Sequence, residues 1–162
     1  MDFLVAVELL LLLMVANGAP ILAARLFATR GDWPIDGNRR FIDHQPLLGR
    51  SKTWRGLIAS LLTTPCAGLL LGLSASTGLL IAAAAMAGDL LSSFCKRRLR
   101  IPPSGMALGL DQVPESLLPL LAVQRHYALG WPEILALTLT FMVLELILSR
   151  ILYFLHIRKQ PY

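Results

Sequence analysis

Five apolar runs, each close to the length that crosses a bilayer, leave this chain few ways to fold. They read Phe3 to Ala24, Leu57 to Leu73, Thr77 to Leu99, Val113 to Leu129 and Pro132 to Leu155. About 20 mainly apolar residues in a helix traverse a hydrocarbon core of about 30 Å, and inside that core every backbone N–H and C=O must be satisfied within the protein. Helices meet that demand segment by segment. The expected fold class is therefore all-α: a polytopic integral membrane protein with about five transmembrane helices. Composition agrees, since 56% of the 162 residues are hydrophobic, against about 45–50% in soluble domains. The fourth run is the weakest. Glu115 and Pro119 interrupt it, and Gln124, Arg125 and His126 close it, so a re-entrant or tilted segment is an alternative there. No internal repeat divides the chain, and residues 1–162 read as a single transmembrane helical domain with two polar loops, 25–55 and 96–112.

Charge sets the expected orientation. The net charge is +5, from 15 Lys and Arg against 10 Asp and Glu. With five crossings, every Lys and Arg except Arg125 falls on the side of the two loops and the C-terminus. The positive-inside rule then places the N-terminus outside and the C-terminus and both loops in the cytoplasm, as expected of a cytoplasmic (inner) membrane protein. The first run is not read as a cleaved signal, because it begins Met1-Asp2 and carries Glu8. Cys66 and Cys95 have no metal or disulfide spacing and are expected to be packing residues. The basic loops flank apolar spans, so the expected partner is a membrane and no nucleic acid.

One span violates its own apolar logic at Asp89. A carboxylate there costs roughly 2.5 kcal/mol or more unless it faces a bundle interior or a wet cavity. At 3.6 residues per turn, Ser92, Ser93, Lys96 and Arg100 lie within about sixty degrees of it, which makes a polar stripe. The stripe runs into the cluster Lys96, Arg97, Arg98, Arg100 and then a Pro and Gly loop ending on Asp111. Two acids with hydroxyls and clustered cations suit a divalent ion carrying phosphates. The simpler alternatives are a headgroup anchor for the arginines and a helix-packing ion pair for Asp89. Glu145, in the last span, reads as a structural polar contact with Arg150 available to it.

A second basic element precedes the second span: Gly49-Arg50-Ser51-Lys52-Thr53-Trp54-Arg55-Gly56. Ser51 or Thr53 can cap the helix, and a helix N-terminus with Lys52 and Arg55 beside it can hold a phosphate or anchor to headgroups. In the first span, Asn17 and Pro20 place an amide and a missing N–H within an otherwise apolar helix. Thr64-Pro65 in the second is an expected kink whose freed carbonyl a hydroxyl can satisfy. Trp33 can anchor the loop at the membrane surface.

GDLLSSFCKRRL followed by GLDQ resembles the signature of the CDP-archaeol synthase family and, more distantly, of phosphatidate cytidylyltransferases. The similarity extends to Asn17 through Pro20, to Pro34-Ile35-Asp36, and to Gly49 with Lys52-Thr53-Trp54-Arg55-Gly56. It implies an integral membrane nucleotidyltransferase that joins CTP to a lipid phosphate, phosphatidate-like or an isoprenoid glycerol phosphate, with Mg²⁺ and release of pyrophosphate. It also implies a homodimer. On this reading Asp89, Lys96 and Asp111 are catalytic, with Asp89 and Asp111 on the metal. Asn17, Lys52, Thr53, Arg55, Ser93 and Arg97 hold substrate. The chain departs from the family where a second loop acid is common: Pro114 stands there, and Glu115 is the nearest substitute ligand. The alternatives are a non-enzymatic protein binding an anionic lipid or nucleotide on the same scaffold, and a small transporter with Asp89 in a coupling site.

Overall fold

The structure is a computed structural model and describes residues 2–28, 30–102, 105 and 107–156. The terminal Arg158 and Lys159, which entered the charge argument, lie outside the described residues. Five helices follow the five apolar runs: α1 (Phe3–Phe27), α2 (Trp54–Leu70), α3 (Ala75–Arg98), α4 (Gln112–Val123) and α5 (Trp131–Phe154). Among the described residues there is no strand, only two isolated bridges within the loop between α1 and α2.

Length separates these helices. α1, α3 and α5 are long and apolar enough to cross a membrane. α4 has 12 residues and a length of about 18 Å at 1.5 Å per residue, short of the hydrocarbon thickness. Its run was expected to continue to Leu129, but the chain turns at Gln124, where the side-chain amide and the backbone carbonyl both bond to Leu129. α2, at 17 residues, reaches about 26 Å.

α3 packs against α4, α2 and α1, while α5 rests on α4 and α1. The two ends of the bundle differ. Leu9, Leu12 and Leu13 of α1, Ile81 of α3, Leu120 of α4 and Phe141 of α5 make an apolar core toward one end. The buried polar groups Ser92, Ser93, Lys96, Arg97 and Glu115 gather at the other. Glycine lets backbones meet where polarity begins: a Cβ on Gly88 would overlap the Pro114 carbonyl, so only glycine admits α4 this close to α3.

Prolines inside α1 and α2 do not break them. Pro20 leaves the Ala16 carbonyl without its helical donor, and the Ser60 hydroxyl of α2 supplies one at 2.8 Å. The same repair was expected beside Pro65. There the Thr64 hydroxyl is buried and has no partner among the described residues, so Thr64 is not the donor. Of the two cysteines expected to pack, Cys95 is half-buried but Cys66 is exposed on α2.

Candidate active site

The loop before α2 is built to deliver Lys52. Ile35 N–H donates to the Lys52 carbonyl at 2.9 Å and Trp54 N–H to the Trp33 carbonyl at 3.0 Å, which lays residues 33–36 beside 52–54. Asp36 locks the intervening segment. Its carboxylate accepts backbone N–H bonds from Leu48 at 2.9 Å, Gly49 at 3.1 Å and Asn38 at 3.0 Å. Burial alone would raise the Asp36 carboxyl, yet these donors hold it below its usual value. Gly49 adopts φ +97°, a region open to glycine. Thr53 then caps α2, its hydroxyl accepting from Gly56 N–H at 3.3 Å. Of the two expected caps, Thr53 is the one used.

Lys52 ends beside Asp89, and the two form an ion pair. Burial alone would lower the ammonium, but Asp89, with Glu115 and Asp111 nearby, holds it above its usual value. The α3–α4 contact at Gly88 brings the Glu115 carboxyl close to Asp89. Such a pair of carboxyl groups needs a proton or a cation between its oxygens. About two helical turns further along α3, Lys96 Nζ lies 2.7 Å from Asp111 Oδ1 and donates to the Gly105 carbonyl at 3.2 Å. Asp111 Oδ2 accepts the Ala107 N–H at 3.1 Å, so the acid also shapes the entry to α4.

A cavity of about 960 Å³ opens among these groups. Asn17, Lys52, Thr53, Arg55, Asp89, Ser93, Lys96, Arg97, Asp111 and Glu115, the ten residues expected to be catalytic, on the metal or on substrate, line it, whereas Ser92, Arg98 and Arg100 of the polar stripe and basic cluster do not. Their states differ. Arg97 is 3% exposed, with Asp111 near enough to favour its charge, and its Nε and Nη1 have no hydrogen-bond partner among the described residues, which leaves buried donors open to an anion in the cavity. Asn17 turns its amide nitrogen back to the Leu13 carbonyl at 3.0 Å. Arg55, expected on phosphate, instead ties down the exit of α1: Nη1 donates to Ala28 O at 2.7 Å and Arg30 O at 2.9 Å, and Nη2 pairs with Asp32 at 3.2 Å. Arg100 was expected on the polar stripe, but α3 stops at Arg98 and Arg100 sits exposed at φ +59° beyond it.

The oxygen donors of Asp89, Glu115 and Asp111 have the hard character that Mg²⁺ prefers. Two of the three are engaged by lysines, however, and no group of three His, Cys, Asp or Glu among the described residues is gathered as a ready metal cage. Some lining residues escaped the sequence reading. Glu145 and Ser149 of α5, and His156 just past its end, line the same cavity; Glu145 had been read as a structural contact, and a carboxylate in an apolar span was the one signal for it. Asp36 stood out only within the Pro34-Ile35-Asp36 resemblance, and its part in organising the loop was hidden because its hydrogen-bond partners are backbone amides.

A family model described as CarS-like, CDP-archaeol synthase, matches residues 2–162. The chain belongs to the CDP-archaeol synthase family. The CDP-archaeol synthase of Pyrobaculum calidifontis is 34% identical over 157 residues, which is 91% of each chain. That of Hyperthermus butylicus is 36% identical over 85% of this chain and 81% of its own. A solved intramembrane enzyme for archaeal membrane lipid biosynthesis superposes with a TM-score of 0.80 at 31% identity, over 91% of this chain and 94% of that one. With three helices apolar enough to span and this neighbour, the chain is an integral membrane protein.

Proposed function

We propose that this protein is a CTP-dependent cytidylyltransferase that makes a CDP-activated lipid, as its place in the CDP-archaeol synthase family implies. Neither a non-enzymatic lipid-binding scaffold nor a transporter is favoured by those relatives. The observation that carries the chemistry is the convergence of ten sequence-selected residues, drawn from α1, the loop before α2, the first turn of α2, α3, and α4 with the residue that precedes it, on one cavity.

In the reaction, an oxygen of the lipid phosphate attacks the α-phosphorus of CTP. The bond to the bridging oxygen of the β-phosphate breaks and pyrophosphate leaves. Negative charge builds on the phosphoryl oxygens, and preorganised cations aimed there lower the barrier. Arg97 and Lys52 are assigned to that charge, with Lys96 beside Asp111 and with Asn17, Ser93 and Thr53 as polar supports at the wall. Asp89, Asp111 and Glu115 are assigned to Mg²⁺, which when bound polarises phosphate oxygens as a Lewis acid. Glu115 then takes the part of the acid that Pro114 displaces, a reading supported by its contact with Asp89. Arg55 acts by fixing the α1 exit.

The lipid is an isoprenoid glycerol phosphate of the kind the relatives' name describes. Five passes between the two membrane faces, in which the short α4 returns the chain to α5 only with the help of the turn at residues 124–130, the cavity end facing the cytoplasm of the cell membrane, and a homodimeric assembly complete the proposal. The basic loops at that end support the orientation. CTP-dependent pyrophosphate release in detergent, with defined lipid phosphates, tests the assignment. Asp89→Asn is expected to fold normally and lose at least about a hundredfold in turnover. Near-normal turnover would make Asp89 a packing residue.

A further inference from the structure

Between Asn38 and Leu47 the loop before α2 folds into a small hairpin that the chemistry above does not use. Phe41 and Gln45 are joined by a 2.9 Å backbone bond, and Leu47 N–H donates to the Arg39 carbonyl at 2.9 Å. Arg98 clasps this hairpin onto α3. Its guanidinium lies 4.7 Å from the Phe41 ring centroid and 4.8 Å from that of Phe94, while Nη2 donates to the Pro46 carbonyl at 2.7 Å and Nε pairs with Asp43 at 3.2 Å. So firm a fastening holds up a tip that touches almost nothing: Ile42 is 87% exposed.

Where the clasp sits says what the tip meets. On a helical projection of α3, Leu80, Leu91 and Arg98 share one direction within about forty degrees. Leu80 and Leu91 are exposed on this helix, so that stripe is the face α3 turns to lipid. The hairpin therefore lies outside the bundle, over the last turn of a lipid-facing stripe, at the depth where hydrocarbon gives way to headgroups. An apolar tip suits that layer, and Arg39, Arg40 and Arg50, all exposed around it, suit negative charge. The acid in the tip, Asp43, is already neutralised by Arg98.

We infer that residues 39–46 form an interfacial hairpin, with Ile42 set into the headgroup layer and Arg39, Arg40 and Arg50 drawing anionic lipid headgroups to the rim of the cavity. On the reading proposed above, that is also the charge class of the lipid substrate. The inference rests on placement and charge rather than on catalysis, and fluorescence can test it without turnover. Ile42→Cys, in a Cys66→Ser, Cys95→Ser background, carries an environment-sensitive dye at a position with no packing to lose. The protein goes into nanodiscs of phosphatidylcholine alone or mixed with phosphatidylglycerol. In mixed discs the dye is expected to shift to the blue, to be quenched by lipids with nitroxide headgroups, and to become severalfold less accessible to iodide than in phosphatidylcholine. Arg39→Gln with Arg40→Gln should erase the difference between the discs. A dye equally open to iodide in both discs, or a lipid contact indifferent to headgroup charge, would overturn the inference while leaving the cytidylyltransferase assignment standing.

Discussion

Two glycines on α3 let a second helix press its backbone against the first, and the two contacts serve different ends. At Gly78, near the turn that joins α2 to α3, an added Cβ would lie 2.6 Å from Pro65 Cα and 2.8 Å from the Thr64 carbonyl oxygen. At Gly88 it would run into the Pro114 carbonyl. Each joins a small residue to a proline-bearing helix, an economical way to pack where lipid gives no hydrophobic drive for association. Around Gly78 the result is packing alone. Beside Gly88 the same closeness sets Glu115 against Asp89 and carries α4 past the lysines. The difference lies in the next residue along each helix, so a packing device becomes part of a site when a carboxylate follows it.

The sharpest way to break that comparison is to substitute both glycines. Gly88→Ala meets backbone rather than a movable side chain, and should destabilise by about 1–3 kcal/mol. It should also remove most turnover per folded molecule, because α4 must back away with Glu115. Gly78→Ala should cost similar stability yet leave turnover per folded molecule close to normal. Thermal unfolding in detergent alongside normalised pyrophosphate release measures both, and equal losses of turnover would end the distinction. A smaller effect is expected from Glu115→Gln, which keeps shape and loses charge: the Mg²⁺ needed for half-maximal turnover should rise about tenfold or more. An unchanged metal titration would leave the Gly88 contact as packing and Asp111 as the loop's one acid for the metal. Smallest is Ser60→Ala, which strands the Ala16 carbonyl next to Pro20 and should cost about 1 kcal/mol of stability with CTP turnover per folded molecule unchanged.

Much of this architecture is legible in residue types. Apolar length located all five helices to within a few residues, apart from the end of α4, where a bond from Gln124 to Leu129 turns the chain early. The polar stripe on α3 and the Lys52 segment converge because each sits where an apolar run ends, and those ends lie at one level in a bundle. What remained hidden depends on distant or backbone partners. Arg55 and Arg97 look alike as isolated arginines, but one is claimed by carbonyls of the α1 exit and the other is left with free donors. Ser60 is mute until Pro20 is known to lie across from it. Asp36 binds amides that any residue would offer.

The ion pairs have a consequence at long range. Asp89, Asp111, Asp43 and Asp32 each stand against a Lys or Arg, and an adjacent pair of opposite charges looks from afar like a dipole, whose potential fades with the square of distance. A nucleotide still in bulk water, about a Debye length of 10 Å away, therefore feels little of the residues that will hold it. What reaches that far is the monopole field of rim arginines such as Arg39 and Arg50, which have no acid beside them among the described residues. The capture rate of a polyanion should follow those two, and the strength of its grip the half-buried and buried cations Lys52, Lys96 and Arg97.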